Sequence, residues 1–201
     1  MNDTAQTRSG YHHGDLRASL IRATNEIVAE HGVHGFTVAE AARRSGVSSG
    51  APFRHFADRE ALLAAAGTAA IDELRQAYRE AIAAAADPAE ALAALSAAYV
   101  TFAVENPAAL ELLSGAGFDP RAHPEIQEAR RQLVDLLIPV GLALGSDHND
   151  ALDLVAAQFA LANGFAVQAA RGAFEPRGES LADVAARARD ATLALVAGWS
   201  R

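Results

Sequence analysis

The sequence predicts an all-α protein of about nine helices. Apolar residues make up 51% of the 201 residues, and alanine dominates them, which favours helix because alanine loses no side-chain entropy there. The apolar positions recur every three to four residues, as they do on one face of a helix, and no strand-like alternation is found. Proline, glycine and N-cap residues divide these stretches into separate helices.

The first 60 residues contain the clearest signals of helix ends. Residues 1–10 are small and polar, and we expect a disordered arm there. A helix is predicted from Asp15 to Gly32, a common stop residue. Thr37 and Glu40 have the spacing of a capping box, which opens a second, short helix.

A third short helix follows a turn at Gly46. Ser48 or Ser49 is its predicted cap, and it should end near His55-Phe56. Pro52 has no amide hydrogen, so we expect the helix to start toward Ser49. Two helices of about eight residues joined by a tight turn have the layout of a helix-turn-helix. The apolar residues expected to form its core are Val38, Ala41, Ala42, Val47, Phe53 and Phe56.

The rest of the chain is predicted to form longer helices. A long amphipathic helix begins at Asp58 and ends at Asp87-Pro88. Further helices are expected at 88–105, 108–114, 124–144 with a kink at Pro139, 148–173 and 179–199. We therefore divide the chain into an arm (1–10), a DNA-binding domain (11–60) and a second, larger domain (61–201), with the boundary near residues 57–62.

Charge is distributed unequally between these parts. The net charge is −8, and the chain contains no lysine and no cysteine. Residues 1–60 carry seven arginines and seven acids, whereas residues 61–201 carry ten arginines and eighteen acids. The acidic excess therefore lies outside the predicted helix-turn-helix. Phosphate contacts would have to come from arginine, histidine, hydroxyls or backbone amides.

The segment from YHHGDLR at Tyr11–Arg17 through TVAEAARRSGVSSGAPFRHF to the DREALLAA run resembles the N-terminal domain of the tetracycline-repressor (TetR) family. The resemblance covers about fifty continuous residues, and the YHHGDLR opening is similar to one subgroup. It implies a ligand-responsive, sequence-specific transcriptional regulator, with repression more usual than activation. It also implies a homodimer on pseudo-palindromic double-stranded operator DNA, with recognition helices about 34 Å apart.

The resemblance also implies roles for individual residues. Phe53 stands where the family usually has a tyrosine whose hydroxyl meets phosphate, so we expect it to keep the core packing and lose that contact. Arg59 would be an exposed phosphate donor. Arg43 and Arg44 either contact DNA or only solvate the second helix. The predicted DNA-binding residues are Thr37, Arg43, Arg44, Ser48, Ser49, Gly50, Arg54, His55 and Arg59.

The resemblance implies that the second half binds an unidentified small-molecule effector. The subgroup's Trp-x-x-x-His-Gly signature is altered here to Phe159-Ala-Leu-Ala-Asn163-Gly164. Pocket candidates are polar or aromatic residues on apolar helices, for which ordinary core packing is the alternative: Tyr99, Phe102, Phe118, Phe159, Asn163 and Gln168. Asn163 needs a hydrogen-bond partner, in the pocket or in a dimer interface. The expected dimer stripes are Leu152, Val155, Phe159, Ala162 and Ala166, and Leu181, Val184, Ala188, Leu195 and Trp199.

Other functions have less support in the sequence. No nucleophile elbow, phosphate loop or dinucleotide fingerprint is present, so we predict no catalytic residues and no cofactor. His12-His13 fit an arm contact with DNA better than a metal site, and Asp147, Asp150 and Asp153 fit a helix N-terminus better than a cation site. No apolar run is long enough to span a membrane, so we expect a cytoplasmic protein. An enzyme and a helical scaffold remain the alternative classes.

Overall fold

The computed structural model describes residues 13–145 and 147–199, with side chains from residue 16 onward. The predicted arm and the side chains of His12 and His13 lie outside this part. The α-helices are α1 (His13–Gly35), α2 (Val38–Arg44), α3 (Arg59–Ala84), α4 (Pro88–Glu105), α5 (Pro107–Leu113), α6 (Pro124–Leu142), α7 (His148–Ala170) and α8 (Leu181–Ala197).

The all-α prediction is confirmed for the described residues, which form eight α-helices and three short 3-10 helices. The 3-10 helices are Pro52–Arg54, Pro120–Ala122 and Glu175–Arg177. Most α-helical ends lie within three residues of the predicted ones. The stop at Gly32 is confirmed, because its φ of 70° interrupts α1 before a last short turn.

Two apolar cores lie along the molecule. The first contains residues of α1, α2, the N-terminal part of α3, α5 and the start of α6. The second contains the C-terminal part of α3 together with α4, α7, α8 and the later part of α6. α3 passes from one core to the other: Leu62 packs in the first and Leu74 in the second.

The helix-turn-helix thus shares its core with elements from the second half of the chain. Leu112 of α5 and Phe118 of the following loop pack with Phe36 and Phe56. The division of the chain at residue 60 stays a prediction, and the first core contains residues from both sides of that boundary. This shared core fixes the helix-turn-helix on the rest of the molecule.

α7 is long and apolar enough, by length and composition alone, to cross a membrane, which the search of the sequence for apolar runs missed. The core helix of a soluble protein passes the same test. Leu154, Ala162 and Ala166 are buried in the second core, so we interpret α7 as a bundle helix.

Candidate nucleic-acid interface and ligand site

The second helix begins at its predicted cap. Thr37 has extended backbone angles, and its hydroxyl accepts a hydrogen bond from the Glu40 amide at 3.2 Å. The Glu40 carboxylate accepts from Arg43 and Arg44, so the structure shows only the threonine half of the capping box. After α2, Gly46 adopts a φ of 69°, which glycine adopts without strain.

The third element is a 3-10 helix, so the prediction of a helix starting near Ser49 is wrong. In an α-helix capped by Ser48, its carbonyl would accept a bond from the amide of residue 52, and Pro52 has none. The Ser48 carbonyl instead accepts from Ala51 at 3.0 Å, and the Pro52 carbonyl accepts from His55 at 2.9 Å. The i to i+3 pattern leaves a tight, short element.

This short element presents several of the predicted contact residues to solvent. Ser48, Ser49, Gly50 and Arg54 are exposed, and His55 is half-buried. The Arg54 side chain makes no hydrogen bond or ion pair with the described part of the chain. Together with the Thr37 cap, these residues form a polar surface on the helix-turn-helix.

Phe53 does not pack in the core, contrary to our expectation. Its side chain is 56% exposed, whereas Pro52 and Phe56 on either side of it are buried. These two residues fill the inner side of the element. The ring of Phe53 lies outside, on the same surface segment as Arg54.

Arg43 and Arg44 differ in what they contact. Arg43 donates to Glu40 but its side chain stays 73% exposed. Arg44 is only 20% exposed and donates to both Glu30 of α1 and Glu40. The hydrogen bonds from Arg43 and Arg44 lower the pKa of Glu40 to about 2. Arg44 therefore clamps α1 to α2, and Arg43 is the better placed of the two for a partner.

Arg59 is not the exposed donor that the sequence predicted. It is half-buried, and its guanidinium donates to the carbonyls of Val33 (2.5 Å), Phe36 (3.2 Å) and Gly117 (3.3 Å). It also lies 5.6 Å from the centroid of the Phe36 ring. The Glu111 carboxylate accepts from the Val33 amide at 2.6 Å. These contacts join the turn before α2 to α5 and the loop after it.

Arg17 is a cation that we did not predict. It is exposed, its guanidinium lies 5.4 Å from the centroid of Phe56, and no ion pair holds it within the described residues. It stands in the YHHGDLR motif, so the sequence contained the signal. We missed it because the predicted arginine contacts were taken only from residues 43–59.

Three of the six predicted ligand residues meet between α4 and α7. The Tyr99 hydroxyl donates to the side-chain amide oxygen Oδ1 of Asn163 at 2.9 Å, so the asparagine has its partner inside the subunit. Tyr99 and Phe159 pack edge to face with ring centroids 5.2 Å apart. Burial raises the pKa of Tyr99 to about 12, so its hydroxyl stays a donor at neutral pH.

The other three lie elsewhere. Phe102 lines a cleft of about 220 Å³ between α1, α3 and the junction of α4 with α5. Phe118 packs in the first core, edge to face with His123 at 5.8 Å. Gln168 is exposed on α7 and lines an open, mostly apolar groove with Phe165 and Phe174. The structure therefore does not bring the six residues into one pocket.

A chain of buried polar side chains lies in the second core and was not predicted. Gln158 donates to the Ser96 hydroxyl at 2.8 Å, and the hydroxyls of Ser96 and Thr192 are 2.7 Å apart. All three are fully buried. The available signal was the presence of polar residues on the apolar helices α4, α7 and α8. The predicted pocket residues included Asn163 and Gln168 but not these three.

The acidic residues at the start of α7 have structural partners. Asp147 caps the helix by accepting from the amides of Asn149 and Asp150 at 2.9 Å. Asp150 accepts from the indole nitrogen of Trp199 at 2.9 Å. Among the described residues, no group of three or more histidine, aspartate or glutamate side chains is arranged to hold a metal ion.

Fold and site together define an all-helical regulator with an N-terminal helix-turn-helix. Residues 20–66 match the model of the bacterial regulatory proteins of the tetR family, and residues 92–196 match that of the tetracyclin repressor-like C-terminal domain. The chain therefore belongs to the TetR family, whose members are DNA-binding transcriptional regulators with a ligand-binding C-terminal domain.

Several solved structures share this fold. A Rhodococcus sp. RHA1 protein of unknown function is 31% identical, with a TM-score of 0.77 over 93% of this chain and 98% of its own. FadR from Bacillus subtilis, in complex with stearoyl-CoA, is 17% identical (TM-score 0.69; 92% and 99% covered). PfmR from Thermus thermophilus is 20% identical (TM-score 0.65; 90% and 99%). A search of curated proteins finds no significant match.

Proposed function

We propose that the chain is a homodimeric repressor that binds a pseudo-palindromic operator and is released from it by a small molecule. The observation that carries this proposal is the polar, exposed surface of the helix-turn-helix in a chain of the TetR family. An enzyme or a scaffold would not need a capped, tight helix pair that presents an arginine with no bond to the described residues.

We assign the DNA surface to the residues that are free to reach a partner. It contains Thr37, Arg43, Ser48, Ser49, Gly50, Arg54 and His55 of the predicted set, and we add Arg17 as a phosphate donor. Arg44 and Arg59 are left out, because their guanidinium groups are bound to acceptors within the subunit and are half-buried, whereas Arg43, although bound to Glu40, stays 73% exposed. Base reading is assigned to Ser49 and Arg54, and backbone contacts to the others.

The experiment that tests DNA binding is selection of genomic fragments by the purified protein, followed by affinity measurements across salt concentrations. We expect one pseudo-palindromic sequence to be enriched and its affinity to fall steeply with salt. Arg54→Ala should lower affinity and relax the sequence preference at the position that it reads. If no fragment is enriched even at low salt, the proposal is refuted.

We assign the effector site to the contact between α4 and α7 around Tyr99 and Asn163. Their hydrogen bond, with the buried hydroxyl of Ser96 on the same helix as Tyr99, offers neutral donors and acceptors among apolar side chains. Because these groups are uncharged, the ligand that they suit is an uncharged molecule with hydrogen-bonding groups.

The effector assignment is tested with a panel of neutral, cationic and anionic compounds in a thermal-shift assay. We expect neutral compounds to raise the melting temperature of the wild type and to lose that effect with Tyr99→Phe. Gln127→Ala, which changes an exposed residue of α6 outside this contact, is the matched control. Stabilisation by charged compounds alone, or an equal loss in both variants, would contradict the assignment.

The dimer is proposed to form through the outer face of α7. Leu152 and Phe159 are exposed along one edge of this face, and an open groove lined by Leu161 and Phe165 runs along its other edge. Gly164 leaves room for close approach, since a Cβ atom added to it would meet nothing within 4 Å. The predicted dimer stripes were partly wrong, because Val155, Ala162, Ala166, Val184 and Ala188 are buried inside the subunit.

A further inference from the structure

Phe53 is the most exposed large apolar side chain among the described residues, at 56%. The others are exposed by 38–47% and all lie in α6 or α7. Within the helix-turn-helix, Phe53 is therefore exceptional. It lies on the same short segment as Ser49 and Arg54, to which we assign base reading.

The local geometry explains why the ring is outside. Pro52 and Phe56 are buried and occupy the inner side of the 3-10 element. The carbonyl of Pro52 accepts from the amides of both His55 and Phe56, at 2.9 and 3.0 Å. This tight turn fixes the backbone on both sides of Phe53, so the ring is held at the surface by short-range hydrogen bonds.

A phenyl ring in this position differs chemically from its polar neighbours. It offers no donor to a phosphate oxygen and no hydrogen bond to the polar edge of a base. In the major groove, the apolar group that a protein can recognise is the C5-methyl of thymine, and phenylalanine is one of the side chains that contact it. The exposed ring and the groove's methyl group are therefore complementary.

We propose that Phe53 is a specificity-determining residue that contacts the methyl group of a thymine in each half of the operator. The inference rests on the proposed DNA-binding function and adds the base that this residue reads. Arg54 and Ser49 supply polar contacts beside it, so the ring adds discrimination in favour of thymine at one position of each half-site.

The test uses the full-length protein and its selected operator. Each thymine is replaced in turn by deoxyuridine, which lacks only the methyl group and keeps the base pair. We expect one substitution per half-site to weaken wild-type binding by about four-fold, which corresponds to the burial of one methyl-sized group. Phe53→Ala should bind the thymine and deoxyuridine operators equally well at that position.

The control is Leu142→Ala, which removes an apolar side chain of similar exposure (47%) at the end of α6, outside the helix-turn-helix. This variant should keep the wild-type preference for thymine. Phe53→Leu is a conservative second variant, and it should retain part of the preference because it keeps an apolar contact.

Each outcome decides the proposal. If the wild type binds its operator but no deoxyuridine substitution weakens binding, the inference is wrong and the regulator function stands. If Phe53→Ala loses the same affinity on thymine and deoxyuridine operators, the ring packs against the sugar-phosphate backbone and the inference is also wrong. If no sequence is selected at all, the proposed function itself fails.

Discussion

Replacement of Arg59 by alanine should destabilise the protein, although the sequence suggested a DNA contact for this residue. The substitution removes three hydrogen bonds to the carbonyls of Val33, Phe36 and Gly117 and the ring contact with Phe36. Hydrogen bonds to charged groups contribute about 1.5–3 kcal/mol each. Because Arg59 is half-buried, water replaces part of these hydrogen bonds in the variant. We therefore expect the free energy of unfolding to fall by about 3 kcal/mol in total.

The assay is urea unfolding followed by circular dichroism at fixed protein concentration, because the stability of a dimer depends on concentration. Arg54→Ala is the matched control. Arg54 also stands in the helix-turn-helix region, but its side chain makes no bond with the described residues, so its removal should change the free energy of unfolding by less than about 0.5 kcal/mol.

In DNA binding we expect the reverse order, with the larger effect from Arg54→Ala. Arg54→Ala should lower affinity in a folded protein of wild-type stability. Arg59→Ala should keep the wild-type salt slope at temperatures where it is folded, because no phosphate contact is lost. The reasoning is refuted if Arg59→Ala unfolds like the wild type and flattens the salt slope.

Three further predictions concern pH, the ligand site and the dimer. The pKa of Glu40 is lowered to about 2 from 4.5. The ionised carboxylate therefore stabilises the fold above pH 4.5, and this stabilisation is lost as the pH falls toward 2. Melting temperatures should fall more steeply over that pH range in the wild type than in Glu40→Gln. Asn163→Ala leaves the Tyr99 hydroxyl without its partner, and urea unfolding should show a loss of about 1–3 kcal/mol in the free energy of unfolding. Tyr99→Phe in the Asn163→Ala background should restore part of this loss. No recovery would mean that the hydrogen bond does not contribute to stability. Phe159→Glu puts a charge on the outer face of α7 and should convert the dimer to monomers in sedimentation velocity, whereas Leu142→Glu should not; unchanged dimers would place the interface elsewhere.

The features predicted correctly from the sequence depend on residues within about four positions of one another. Thr37 caps α2 because its own side chain reaches the amide of Glu40, and Asp147 caps α7 in the same way. Gly32 interrupts α1 through its own φ angle. The third helix was predicted wrongly although its signal was also local, because the missing amide of Pro52 was taken to shift the helix rather than to replace it by a 3-10 turn.

The candidate site shows where such reasoning ends. Arg43, Arg44, Arg54 and Arg59 are all arginines in the helix-turn-helix region, and the sequence placed all four among the predicted DNA-binding residues. Arg43 bonds to a carboxylate three residues away, and Arg44 also reaches one fourteen residues away. Arg59 reaches the carbonyl of Gly117, 58 residues away. Which arginine is free for DNA therefore depends on tertiary partners that no local pattern shows, and the structure leaves Arg54 as the one of these four whose side chain makes no bond with the described residues. An arginine's residue type gives its chemistry, but its availability for DNA is fixed only when the rest of the chain has folded around it.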